Sequence, residues 1–259
     1  MPYEYALTTT SKLSCTLWSA VATRLLHVLL PKWLRSVAGS KADAAANELV
    51  SGLHAAGVVV AASISLWPDA CWGTPLDCCT ATIEVAQAVS IGYMMADSYT
   101  MWLLDYDQLP VMLIHHFIAM STMVYTAFLE AKGSWFTSVM FLTESCSLFN
   151  CAIWFMEHGK KRAQDGGSHG EGHVLVAVRY ARLLMWLIFR TWIFVPYFST
   201  AARVHADMPT NLVVAWVWVV GGFLLVFNLG ALATMVLKGF PWRAGSGKGG
   251  AEADKAKEQ

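Results

Sequence analysis

Seven long apolar stretches constrain this chain more than any single motif does. They run over Leu13 to Leu30, Glu48 to Trp67, Ile83 to Leu104, Pro110 to Leu129, Trp135 to Met156, Val174 to Phe198 and Leu212 to Leu237. A hydrocarbon core about 30 Å thick is crossed by roughly 20 apolar helical residues, so stretches of this length read as membrane spans. Only 14% of the residues are charged and 56% are hydrophobic, whereas a soluble domain carries about 25% charge. The runs lack the alternation of a transmembrane strand, which excludes a barrel. The expected fold is therefore all-α, a polytopic transmembrane bundle with seven spans. The count drops to six if the first stretch, which carries Arg24 and His27, lies along the interface as an amphipathic helix.

Charge sets the orientation and removes one class of partner. The 18 basic and 18 acidic residues cancel, and no basic run is interleaved with aromatics, so no nucleic-acid partner is expected. With seven spans, Lys32, Arg35, Lys41, Lys160, Lys161, Arg162, Lys238, Arg243, Lys248, Lys255 and Lys257 fall on one side, which the excess of basic residues marks as cytosolic. Lys12, Lys132 and Arg203 fall on the other. Cys71, Cys78 and Cys79 then sit in a luminal loop that would allow one disulfide. His169 and His173 border a Gly-rich loop that reads as a linker, so no metal site is expected. The tail from residue 241 to 259 is Gly-, Ala- and Lys-rich and reads as disordered. Near the N-terminus no basic, apolar and small-residue series marks a cleaved signal, so the first apolar stretch is expected to remain.

The informative residues are those a membrane should exclude. An ionisable group near the bilayer centre costs at least about 2.5 kcal/mol, so it normally faces the bundle interior and marks a site. Asp97, His115, His116, Glu144 and Arg190 qualify, with His54, Tyr93 and Asn150 as polar neighbours. An imidazole changes charge near neutral pH and serves as base, acid or nucleophile, which makes His115 and His116 candidate catalytic groups. The alternative is a pair of neutral histidines bonded to polar groups of other helices. Tyr93 and Asp97 share a helix face, and Asp97 either orients an imidazole or pairs with Arg190. Glu144, Ser147 and Asn150 form a polar stripe that lines a cavity or joins helices. Arg190 needs a carboxylate or an anionic ligand, while Arg179 and Arg182 read as snorkelling to lipid phosphates. Together Asp97, His115, His116 and Arg190 are expected to line one interior cavity.

These landmarks, taken in order, resemble the TLC domain, the fold of ceramide synthases and several lipid-related endoplasmic reticulum proteins. Leu49-Val-Ser-Gly-Leu-His-Ala55 resembles its opening helix, and Trp72-Gly-Thr-Pro75 its first luminal loop. Gly92-Tyr-Met-Met-Ala-Asp97, Ile114-His-His116 and Thr143-Glu-Ser-Cys-Ser-Leu-Phe-Asn150 are similar to three further elements, and Arg190 falls where the family places an arginine. The likeness covers residues 47–240, leaving an N-terminal helix and loop over 1–46 and the tail over 241–259. The stretch after His116 lacks the H-D-x-x-D of ceramide synthases, and the likeness is closer to the small TLC-domain membrane proteins.

The resemblance implies a protein of lipid metabolism or lipid homeostasis. One form is a histidine-dependent acyltransferase, with His115, His116 and Asp97 catalytic and His54, Tyr93, Glu144, Asn150 and Arg190 binding substrate. It would use acyl-CoA as co-substrate and no bound cofactor. The alternatives are a non-catalytic lipid binder or transporter, and an endoplasmic reticulum cargo or chaperone factor. Membrane lipids are the expected partners, with a homo-oligomer also open. The terminal Lys255-Ala-Lys257-Glu-Gln259 resembles a dilysine retrieval signal, which points to the endoplasmic reticulum membrane with a cytosolic C-terminus.

Overall fold

The computed structural model describes residues 7–67, 75–77, 80–106, 109–129, 133–163, 173–208 and 211–239, and among them no strand occurs. The helices are α1 (Thr9–Ala38), α2 (Ala42–Leu66), α3 (Ala81–Leu103), α4 (Leu109–Val124), α5 (Ser134–Leu142), α6 (Ser145–Ala163), α7 (His173–Leu187), α8 (Phe194–Arg203) and α9 (Asn211–Gly239). Each of the seven apolar stretches lies in helix. The stretches over 135–156 and 174–198 are each divided into two helices. Four helical stretches, Thr9–Leu66, Leu109–Phe128, Ser134–His158 and Val213–Leu237, are long and apolar enough to cross a membrane. The cysteines at 71, 78 and 79, Trp72, His169 and the tail lie outside the described residues.

Local chemistry starts and stops these helices. Thr8 caps α1 by accepting from Ser11 N at 3.1 Å, and Thr80 caps α3 by accepting from Ile83 N at 3.3 Å. At Gly39 φ is +58°, a conformation glycine adopts without a Cβ penalty, and there the chain leaves α1 and turns into α2.

The first stretch is not an isolated surface helix but packs onto the bundle. Helix α1 packs along α3 and α2. Its approach to α3 is so close that a Cβ on Gly92 would run into the Thr16 carbonyl and the Ala20 amide. Lys12 is not a loop residue either. It is buried in α1, with Nζ 2.5 Å from Glu84 Oε1 and donating to Ala127 O at 2.7 Å. Glu84 Oε2 accepts from Leu7 N at 2.7 Å. This knot ties the start of α1 to the start of α3 and to the end of the fourth apolar stretch.

Burial is inverted relative to a soluble protein. Trp18, Trp33, Trp67, Phe117, Trp192 and Val226 are each at least 68% exposed, whereas Glu84, Gln87 and Ser90 are fully buried. Apolar surface on that scale is destabilising in water and matches a lipid surround.

Three backbone irregularities gather on one side of the bundle. A π-helical turn over Tyr125–Leu129 ends the fourth stretch, the chain breaks helix at Thr143–Glu144, and a second π-helical turn covers Ile188–Trp192. At membrane depth such backbone is tolerated only where protein or a cavity meets its freed groups.

Candidate functional site

Those three irregularities border a cavity of about 100 Å³. Thr126 comes from the first π turn, Thr143 and Glu144 from the helix break, and Arg190 from the second π turn; all four line it. The break has a direct chemical consequence. The Thr143 carbonyl is met by Cys146 N at a long 3.4 Å and accepts a shorter bond from Arg190 Nε at 3.0 Å. Arg190 thus supplies a hydrogen bond that the interrupted helix lacks. Its guanidinium also lies 4.5 Å over the Trp186 ring and 3.8 Å from Glu144 Oε1, while Glu144 Oε2 accepts from Ser147 Oγ at 2.8 Å.

His115 and His54 also line the same cavity. The His115 ring stacks on Phe227 with centroids 5.9 Å apart, and its buried Nδ1 has no hydrogen-bond partner among the described residues. The remaining walls are mostly apolar, with Phe136 and Met140 from α5, Tyr197 from α8, and Val217, Val220 and Leu224 from α9. Tyr197 OH donates to Val217 O at 3.0 Å and so joins α8 to α9.

A second polar cluster lies behind this cavity, centred on Asp97 in α3. His116 Nε2 is 3.7 Å from Asp97 Oδ2, and His116 Nδ1 is 2.8 Å from Ser98 Oγ. His27 of α1 reaches the other carboxylate oxygen at 3.9 Å. Tyr93, one turn before Asp97, stacks on His54 with ring centroids 3.9 Å apart and reaches Asp97 with its side chain, so it links the two clusters.

With this geometry in hand, comparison with known proteins gives one family. The TLC domain profile matches residues 45–236. The chain belongs to the TLC-domain family. No curated protein and no solved structure matches it.

The TLC landmarks therefore fall into two groups. His54, His115, Glu144 and Arg190 meet at the cavity, whereas Asp97, His116 and Tyr93 do not line it. The adjacent histidines diverge because successive residues on a helix point about 100° apart, and their rings lie tilted with centroids 5.7 Å apart. One shared cavity for Asp97, His115, His116 and Arg190 is thus corrected to two adjoining clusters. Arg190 pairs with Glu144 and not with Asp97. Asn150 also lies off the cavity, 3.4 Å from Arg182 Nη1, and Arg179 holds Glu157 at 2.9 Å, so these arginines have protein partners.

Sequence reasoning missed Lys12 and His27 on α1 and Glu84 on α3, all of them buried. His27 and Lys12 precede the TLC match; His27 read as a mark of an interfacial helix and Lys12 as a loop residue outside the spans. The signal that would have found Lys12 is Glu84, a carboxylate four residues after the Thr80 cap in an apolar stretch, which needs a cation.

Proposed function

We propose that this TLC-domain protein binds the acyl chain of a lipid in the cavity between α4, α5, α8 and α9 and transfers an acyl group at His115. The observation that carries the reading is that His115, Glu144 and Arg190 lie near one another in the lining of a mostly apolar cavity. That arrangement matches a ligand with a long hydrocarbon body and one reactive polar group. His115 has an open nitrogen, as a base or nucleophile requires. Acting as base, it takes the proton of a lipid hydroxyl or amine as that atom attacks the thioester carbonyl of an acyl-CoA. It then returns the proton to the departing thiolate. Arg190 faces the developing oxyanion, and Glu144 offsets its charge in the absence of substrate.

The cavity is smaller than the roughly 150 Å³ space that takes up benzene, so a long chain needs a wall to move. Helix α9 is that wall, since its main packing partners are α8 and the π turn of α7. Seven spans, a cytosolic tail and residence in the endoplasmic reticulum complete the reading. They are supported by the basic-residue bias and by the Lys255 and Lys257 pattern.

Lipidomics of cells lacking the chain, rescued with the native protein, His115→Ala or His116→Ala, tests the function. The native protein restores the altered lipid class, and His115→Ala does not although it accumulates normally. Full rescue by the double alanine variant would reject catalysis by these histidines and leave a lipid binder.

A further inference from the structure

Arg24 is a cation on the outer side of the bundle, and among the described residues no carboxylate lies within ion-pair distance of it. Helices α1 and α3 run in the same direction. Lys12 lies beside Glu84, Ser19 Oγ donates to Val89 O at 2.7 Å, and Arg24 Nη1 donates to Thr100 Oγ1 at 3.3 Å. At Gly92 the two helices approach too closely for a Cβ, against the Ala20 amide. Beyond that contact a groove of about 400 Å³ opens between Val21, Arg24 and Leu25 on α1 and Met95, Ala96 and Tyr99 on α3. Val21, Leu25, Met95 and Tyr99 are each about half exposed, so the groove faces the lipid surround. Met94, the neighbour of Met95, lines the cavity instead, which puts the two spaces on different faces of α3.

Depth and charge together say what fits there. Thr100 is three residues from Leu103, where α3 ends before the chain turns back into α4 at Leu109. At 1.5 Å per residue, the Arg24 contact lies within about 5 Å of that end, near the headgroups of a bilayer crossed by α3 and α4. The guanidinium is also held in place, 5.2 Å over the Tyr99 ring and bonded to Thr100, which leaves further N–H donors of its planar fork for the oxygens of a phosphate. Exposed Lys32 and Arg35 extend the positive charge along α1, and Arg35 lies only about 20° around the helix from Arg24.

We propose that the groove between α1 and α3 binds an anionic phospholipid, with its phosphate on Arg24 and the adjoining hydrocarbon between Val21, Leu25 and Met95. A cation next to an open apolar groove matches the two halves of such a lipid. Arg24, Val21 and Leu25 precede the TLC match, so the segment outside the family domain supplies half of the site. The lipid joins α1 to α3 at the end of their contact opposite the Lys12 and Glu84 pair. None of the groove residues lines the cavity, and the proposal stands apart from acyl transfer.

The full chain in nanodiscs of equal phosphatidylcholine and phosphatidic acid, released and weighed by native mass spectrometry, tests the site. The native protein retains one phosphatidic acid in preference to phosphatidylcholine. Arg24→Gln lowers that preference by roughly fivefold or more, the scale of one basic residue at an anionic headgroup. Val21→Trp fills the groove, leaves every charge in place and lowers the preference too, whereas Lys32→Gln and Arg35→Gln change it less than Arg24→Gln does. A native protein without the preference would overturn the proposal. A preference that follows Lys32 and Arg35 in place of Arg24 would assign it to a diffuse basic surface, and retention indifferent to Val21→Trp would put the lipid elsewhere; either result also overturns it. Should Arg24→Gln fail to fold, Val21→Trp decides.

Discussion

Glu84→Ala destabilises the folded protein by about 3–5 kcal/mol, the usual scale for removing one partner of a buried ion pair. Lys12 Nζ is left with the Ala127 carbonyl alone, and its charge remains buried. Lys12→Met has a similar effect by leaving the Glu84 carboxylate with the Leu7 amide. Because the cost is an uncompensated charge rather than lost packing, Lys12→Met combined with Glu84→Leu recovers most of the stability. Thermal unfolding of the three variants in one detergent measures this. Equal stability of the single and double variants would show that the pair does not join α1 to the bundle.

His115→Phe lowers acyl transfer by on the order of 10² or more, the scale for losing acid or base catalysis. Its thermal stability stays close to native. The phenyl ring keeps the stack on Phe227, and no hydrogen bond among the described residues is lost, because His115 Nδ1 has no partner there. His116→Phe behaves differently, since it removes the Ser98 hydrogen bond and the Asp97 contact and so costs stability as well as activity. A time course with acyl-CoA and purified protein in nanodiscs, run beside thermal melts, separates the two effects. Native turnover by His115→Phe would remove this residue from the chemistry.

Much of the fold was legible because it follows from one-dimensional patterns. Stretches of about 20 apolar residues mark helices whatever their neighbours are, and all seven stretches are helical. The positions of Asp97, His115, Glu144 and Arg190 were legible for a related reason, since lipid excludes charge and each must face protein. What the sequence did not show is how two neighbouring charges are divided among partners. His115 and His116 are adjacent in sequence yet face different clusters, and Arg190 chose Glu144 over Asp97 because a helix break put Glu144 and the Thr143 carbonyl beside it. That break carries no proline or glycine at Thr143–Glu144, and the two π turns carry none either. Pro196, which offers no amide to the Trp192 carbonyl four residues back and crowds it, gives the second π turn a local cause, whereas the first π turn and the break have no such residue. Helix α1 was undervalued because its polar residues were read as facing water. Lys12 and His27 point inward to Glu84 and Asp97, partners that lie 72 and 70 residues further along the chain.

The central claim is that a lipid acyl chain occupies the cavity beneath His115, Glu144 and Arg190, and photo-cross-linking tests it most directly. A long-chain acyl-CoA carrying a diazirine near the chain end is added to the full protein in nanodiscs, irradiated, and the attachment sites are mapped by peptide mass spectrometry. Attachment is expected on the inward face of α9 at Val217, Val220 and Leu224 and on Phe136 and Met140 of α5. Filling the cavity by Val220→Trp should remove it. Labelling confined to the outward residues Trp18, Phe117 and Val226, and unaffected by Val220→Trp, would contradict the claim.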